Sequence, residues 1–190
     1  MKLAVLFARF TWLFVFVVPL LLPAQSSSKV YLTSTGSIVF RSDAPQELIK
    51  AKSNELKGAI DLQAKTFSFK VRITSFDGFN GALQHTHFHE NYMQSERYPE
   101  ATFKGKIIED IDWSVPGKYT VRAKGMLNIH GVEQERIIKG EVLVEPDKSM
   151  RITASFTILL SDHDIPIPRI VKEKLAEEVK VAMDATLLIR

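Results

Sequence analysis

Three histidines at alternate positions, His85, His87 and His89, are the residues of this 190-residue chain whose type and spacing first suggest chemistry. Imidazole is a common ligand for zinc and similar ions and a common proton carrier near neutral pH. On a helix, His85 and His89 share a face while His87 points elsewhere. Only an extended segment would align all three, and the Glu90-Asn91-Tyr92-Met93 that follows reads as helix. A metal held by His85 and His89 wants a third ligand. His130, His163, Asp162 or Asp164 could supply one, but nothing in the sequence brings them together. The His-x-His-x-Asp-His pattern of metallo-hydrolases is not met, because His89 stands where aspartate is required. A metal-dependent hydrolase or isomerase using His85 and His89 is therefore the alternative reading. The first is a polar, partly solvated helix capping one end of the fold, with no metal and no cofactor. Ser161, His163 and a flanking aspartate have the composition of a nucleophilic triad. Adjacent residues rarely reach triad geometry, however, and no nucleophile-elbow glycines surround Ser161. No catalytic residue is expected.

The elements that would position these histidines are strands. Phe67, Phe69, Val71 and Ile73 alternate with Ser68, Lys70, Arg72 and Thr74, which marks a strand with one face buried and one wet. Tyr119 to Ile129, Ile152 to Leu160 and Val181 to Ile189 repeat the pattern. Shorter candidates are Ser37 to Arg41, Ile49 to Ser53, Leu56 to Leu62, Thr102 to Ile108 and Ile138 to Val144. Turn residues separate them: Asp61 to Lys65, Val115-Pro116-Gly117 and Glu145 to Lys148. Two segments read as helix. Gly81 to Arg97 is polar and mixed, and Pro168 to Val179 carries Ile170, Val171, Leu175 and Val179 at helical spacing. The expectation is an all-β fold, an antiparallel barrel of about eight strands with one or two short helices. Its phenylalanine-rich face points inward and either fills the bore or surrounds a ligand. Periodicity leaves both open, and a solid-cored structural barrel without ligand stays as a third reading.

The first two dozen residues are expected to lie outside this domain. Lys2 precedes a run that is apolar from Leu3 to Leu22 apart from Arg9, which ends at Pro23-Ala24-Gln25 and a serine tract. That is the design of a secretory signal peptide over residues 1–24, leaving a domain over 25–190. The chain has no cysteine, so its core must stabilise it without disulfides and it has no lipidated-cysteine anchor. A periplasmic or secreted bacterial protein, with no stable membrane anchor after cleavage, is the simplest address. Loss of Lys2 and Arg9 lowers the formal charge from +3 to +1. Without a basic cluster to track phosphates, nucleic acid is not expected as a partner.

Two phrases narrow the function. Tyr98-Pro99-Glu100-Ala101-Thr102-Phe103 follows the polar helical segment, and Leu127-Asn128-Ile129-His130-Gly131-Val132 ends a later strand. Together with Ser161-Asp162-His163-Asp164 and the hairpin from Ala51 to Ile73, they resemble the YceI-like family over about Val30 to Arg190. The resemblance implies a lipocalin-like barrel that holds a polyisoprenoid or similar apolar lipid in its interior, for carriage, storage or sequestration, and that performs no covalent chemistry. Phe67, Phe69, Val71, Phe103, Leu127, Phe156 and Ile158 are the candidate wall residues. His85, His89 and His130 are candidates for the rim, near a lipid headgroup; for His130, beside Gly131 at a strand end, a hydrogen bond that fixes the turn is the first reading and the headgroup contact the alternative. The partner expected is the lipid itself, and the sequence leaves room for a homodimer.

Overall fold

The computed structural model describes residues 29–190, so the expected signal peptide lies outside the described residues. Eight antiparallel strands, each bonded to its sequence neighbour and the last to the first, close into a barrel. They are β1 (Val30–Asp43), β2 (Leu48–Asp61), β3 (Thr66–Arg72), β4 (Glu100–Ile107), β5 (Gly117–Ile129), β6 (Val132–Val144), β7 (Met150–Leu159) and β8 (Glu178–Ile189). Closure gives every strand a neighbour on both sides, although β2 meets β3 only over Lys57–Asp61 and β6 meets β7 only over Gly140–Val144. The two short stretches read on either side of Asn54 are one continuous strand, β2. Register shifts in β1 on both sides of Gly36 let that strand coil, and a Cβ at Gly36 would stand 2.9 Å from Ala185 Cβ.

Period-two alternation places the charged residues outside. Lys118 pairs with Glu141, Lys124 with Glu135, Lys70 with Glu100 and Arg151 with Asp184 across neighbouring strands. These exposed pairs contribute little each, about 0–1 kcal/mol, and mainly keep the exterior wet. Turn chemistry closes one end as expected. Asp61 Oδ1 accepts the amides of Gln63 and Ala64, Lys65 takes φ 55°, and Asp147 Oδ1 accepts the amide of Ser149. Beneath these turns Tyr31, Val144, Met150 and Leu187 are packed to near-complete burial. Trp113 and Tyr119 meet at 5.8 Å nearby, with the Tyr119 hydroxyl donating to Val115 O.

The other end carries the two longest connections, from β3 to β4 and from β7 to β8. Between β3 and β4 lies α1 (Ala82–His87), continued by a π-helical turn (Phe88–Tyr92), so the expected helix over Gly81 to Arg97 forms in its central part. The helix expected over Pro168 to Val179 does not form. That stretch holds a single 3₁₀ turn (Arg169–Val171), and β8 has begun by Glu178. Tertiary bonds outcompete helical ones there: the Ala176 amide donates to Ser42 Oγ, and Glu177 O accepts from the Leu160 amide. Among the described residues no helix is long and apolar enough to cross a membrane.

Candidate functional site

Inward-facing apolar side chains are not all buried. Ile38 and Phe40 on β1, Ala101 and Phe103 on β4, Ala123 on β5, Ala154 and Phe156 on β7 and Met183 on β8 occupy core positions of the alternation yet are only half-buried. Each of them lines a cavity of about 620 Å³ in the bore. Their residual exposure is therefore to an internal void rather than to the outside. The void stops above Tyr31, Val144, Met150 and Leu187, none of which lines it. The cavity is blind at the end with the short turns and opens at the end with the long connections.

All seven residues expected on the wall, Phe67, Phe69, Val71, Phe103, Leu127, Phe156 and Ile158, line this cavity. Phe67 meets Phe103 at 4.8 Å, and Phe69 lies so close over Gly58 that a Cβ there would sit 2.2 Å from the ring. Glycine at 58 thus gives one wall phenylalanine its place. Gly105 and Gly125, directly opposite each other on β4 and β5, leave no room for side chains either: a Cβ on Gly105 would stand 2.1 Å from Lys124 O.

Sequence reasoning missed the roof. Phe40, Phe76, Phe79 and Phe88 form an aromatic cluster that also lines the cavity, with Phe40 stacked on Phe88 at 5.1 Å and Phe79 against Phe88 at 5.0 Å. Phe76 and Phe79 sit in a glycine-containing stretch without periodicity, so nothing in their spacing flags them. Phe88 could have been found, since it falls four residues before Tyr92 on the helical face that both present to the cavity.

The mouth is bounded by three segments. The β1–β2 turn joins the other two: Gln84 of α1 donates to Glu47 Oε1 at 2.6 Å, and Gln46 donates through its side chain to Glu173 Oε2 at 3.0 Å. His87, Asn80, Glu47 and Lys174 are polar residues at this opening, while most of the wall is hydrocarbon. Apolar side chains stand in solvent around it, with Leu83 69% and Ile170 90% exposed and Leu48 also open.

The histidines separate as helical geometry requires. His87 lines the cavity, whereas His85 and His89 do not and instead face each other, Nε2 to Nε2, at 3.2 Å. Burial, and then the neighbouring His85, lower the pKa of His89. His130 does not line the cavity either. It is buried at the tip of the β5–β6 hairpin, where φ is 54° at His130 and 77° at Gly131, the pattern of a two-residue primed turn. Tyr98 packs its ring on His130 at 4.5 Å, and a Cβ on Gly131 would lie 2.4 Å from that ring. His130 Nδ1 donates to His163 O, and His163 Nδ1 donates to Val132 O. Carbonyls only accept, so both rings carry their proton on Nδ1. His163 is fully buried, and burial lowers its pKa. Gln134 donates to Asp162 O in the same corner. The Tyr98-Pro99, Ile129-His130-Gly131 and Asp162-His163 phrases thus meet in one hydrogen-bonded corner beside the mouth. Among the described residues no three histidine, aspartate or glutamate side chains converge as a metal centre would need.

A family model described as a YceI-like domain matches residues 30–187. The barrel is similar to a polyisoprenoid-binding domain from Saccharophagus degradans, with a TM-score of 0.72 at 14% identity over 86% of this chain and 99% of that one. It is also similar to BcnA from Burkholderia cenocepacia, with a TM-score of 0.65 at 14% identity over 80% of this chain and 95% of that one. The Campylobacter jejuni YCEI protein gives a TM-score of 0.52 at 18% identity over 66% of this chain and 72% of that one. At these identities the likeness is one of fold. A comparison with curated protein sequences finds no match.

Proposed function

Because this chain belongs to the YceI-like family and its barrel encloses an apolar, one-ended cavity, we propose that it binds a polyisoprenoid or similarly apolar lipid, and does so without covalent chemistry. The observation that carries this reading is the set of half-buried apolar side chains facing the void. A filled core would cover Ala123, Ala154, Phe156 and Met183, and here it leaves them open.

The cavity is of the right kind and size. At the roughly 30 Å³ that one water-sized group takes up, 620 Å³ accommodates on the order of twenty methylene-sized groups. Burying that many is worth about 15 kcal/mol gross, and binding then subtracts roughly 4–15 kcal/mol for lost freedom. A hydrocarbon tail needs no specific polar partners to bind under those terms. A polar headgroup would fall at the mouth, where His87, Asn80 and Lys174 lie. Phe67, Phe69, Val71, Phe103, Leu127, Phe156 and Ile158 are the proposed tail contacts. His85, His89 and His130 are left without a headgroup role, since none lines the cavity.

The proposed role is carriage, storage or sequestration of the lipid outside the cytoplasm. Support for export comes from the leader-like composition of residues 1–24 alone. Organic extraction of protein purified from its source cells, followed by mass spectrometry, is the test. A stoichiometric isoprenoid or long-chain lipid is expected. No extractable lipid, together with no uptake of an added polyprenol, would overturn the proposal.

A further inference from the structure

Outside the cavity, the His85 and His89 rings place their Nε2 atoms 3.2 Å apart. Two imidazole nitrogens each about 2.0–2.1 Å from one ion stand roughly 2.9 Å apart at a right angle and about 3.4 Å apart at the tetrahedral angle. The observed separation, that of a hydrogen bond between the two rings, falls between these limits, so an ion would replace the shared proton after small turns of rings whose centroids lie 4.3 Å apart. The ring orientations are held by packing. Phe79 meets His85 edge-on at 5.4 Å and 88°, and meets His89 at 6.2 Å and 68°. Phe88 meets His89 at 5.0 Å and 81°. Donors locked in this way lose little freedom when they bind.

Access and competition also favour an ion here. His85 is exposed, so solvent reaches the gap between the rings. The chain has no cysteine to draw a soft metal elsewhere, and His130 and His163 are buried. With two protein nitrogens and no converging carboxylate among the described residues, water must fill the remaining positions. Such a nitrogen–water site follows the Irving–Williams order, strongest for copper(II) and weaker for nickel(II) and zinc(II).

We propose that His85 and His89 form an accessible two-histidine chelate for a divalent transition metal, copper(II) before nickel(II) or zinc(II). The pair spans the junction between α1 and the π-helical turn, so a bound ion ties together the two halves of the roof. It is a clasp on the segment that supplies Phe88 to the cavity, and it does not depend on what the cavity holds.

Tag-free protein titrated with copper(II) or nickel(II) chloride, followed by calorimetry and visible absorption, tests the proposal. One saturable equivalent is expected, with a d–d band of imidazole coordination. Removing one of two donors in His85→Ala should weaken binding by at least about tenfold, while His87→Ala, which changes the imidazole facing the bore, leaves metal affinity unaltered. His85 is exposed, so this variant is not expected to disturb folding, and circular dichroism checks that. Amide exchange across residues 82–95 should slow on metal addition in the parent chain and not in His85→Ala. Absence of saturable binding below millimolar metal, or binding that persists undiminished in His85→Ala, would overturn the proposal.

Discussion

Ala154 is the position at which an open bore and a solid core predict opposite results. It lies on β7, opposite Gly140 of β6 and Met183 of β8, and its methyl group faces the void. Ala154→Phe adds six ring carbons, on the order of 180 Å³ at the volume per group used above, or nearly a third of the 620 Å³ available. Burying that ring in empty space should stabilise the ligand-free barrel by about 1–2 kcal/mol once its lost rotamer freedom is subtracted. For a domain of this size that raises Tm by roughly 2–8 °C. The same ring takes the place of about six methylene groups of guest, roughly 5 kcal/mol gross. Affinity for a long polyprenol should therefore fall at least about tenfold even if the guest shifts toward the mouth. Urea denaturation of delipidated protein and displacement of a fluorescent polyene measure the two effects separately. In a solid core the added ring overpacks and lowers stability by about 1–3 kcal/mol. A destabilised Ala154→Phe with unchanged lipid affinity would refute the reasoning.

Further expectations concern the mouth and its supporting corner. Gly131→Ala places a Cβ 2.4 Å from the Tyr98 ring at φ 77°, and should lose about 1–3 kcal/mol in urea denaturation. Gly78→Ala, at φ 93° with nothing within 4 Å of the new Cβ, should lose only the conformational part, about 1 kcal/mol. His163 has a folded-state pKa lowered by burial, so the unfolded chain binds the proton more tightly. Its contribution to stability is complete above the unfolded value of about 6.5 and is lost as pH falls through the lower folded value. A pH series of denaturation midpoints should show this slope in the parent and a flatter one in His163→Gln. The carboxylates of Asp43 and Asp184, lowered chiefly by hydrogen bonds from Arg41 and Arg151, contribute above their ordinary range and lose that contribution only in the more acidic window below it. Finally, Leu83→Glu with Ile170→Glu changes two exposed side chains at the mouth. Stability should stay within about 0.5 kcal/mol, while stopped-flow transfer of a fluorescent lipid from vesicles slows. An unchanged transfer rate would remove these side chains from the entry route.

The strands were legible because their face-to-face alternation is a local signal that survives without knowledge of the partner strands. Phe67-Ser68-Phe69-Lys70-Val71 reads correctly by itself. The segment from Pro168 to Val179 does not, because its apolar spacing fits a helix while only its first part makes local turn bonds and the rest is bonded to Ser42 and Leu160, outside the segment. The same limit applied to the site. Wall residues on strands could be named from the pattern, but an empty bore and a filled one present identical sequences. The roof of Phe76, Phe79 and Phe88 is made in space by an irregular connection folding over the barrel. His130 ends a strand beside a glycine, and the turn-fixing hydrogen bond that this suggests is present, while the rim contact offered as its alternative could not be weighed from sequence. Its burial comes from Tyr98 and His163, contributed by two other parts of the chain.

The packed floor of Tyr31, Val144, Met150 and Leu187 makes the barrel a cul-de-sac. A guest threaded into it tail-first must leave head-first along the same path, and the part that entered last is the first to be presented outside. A chain longer than the bore cannot pass through; its surplus hangs from the doorway together with any polar end. Whatever receives the lipid from this protein would therefore meet the head of the molecule before the barrel has released the tail.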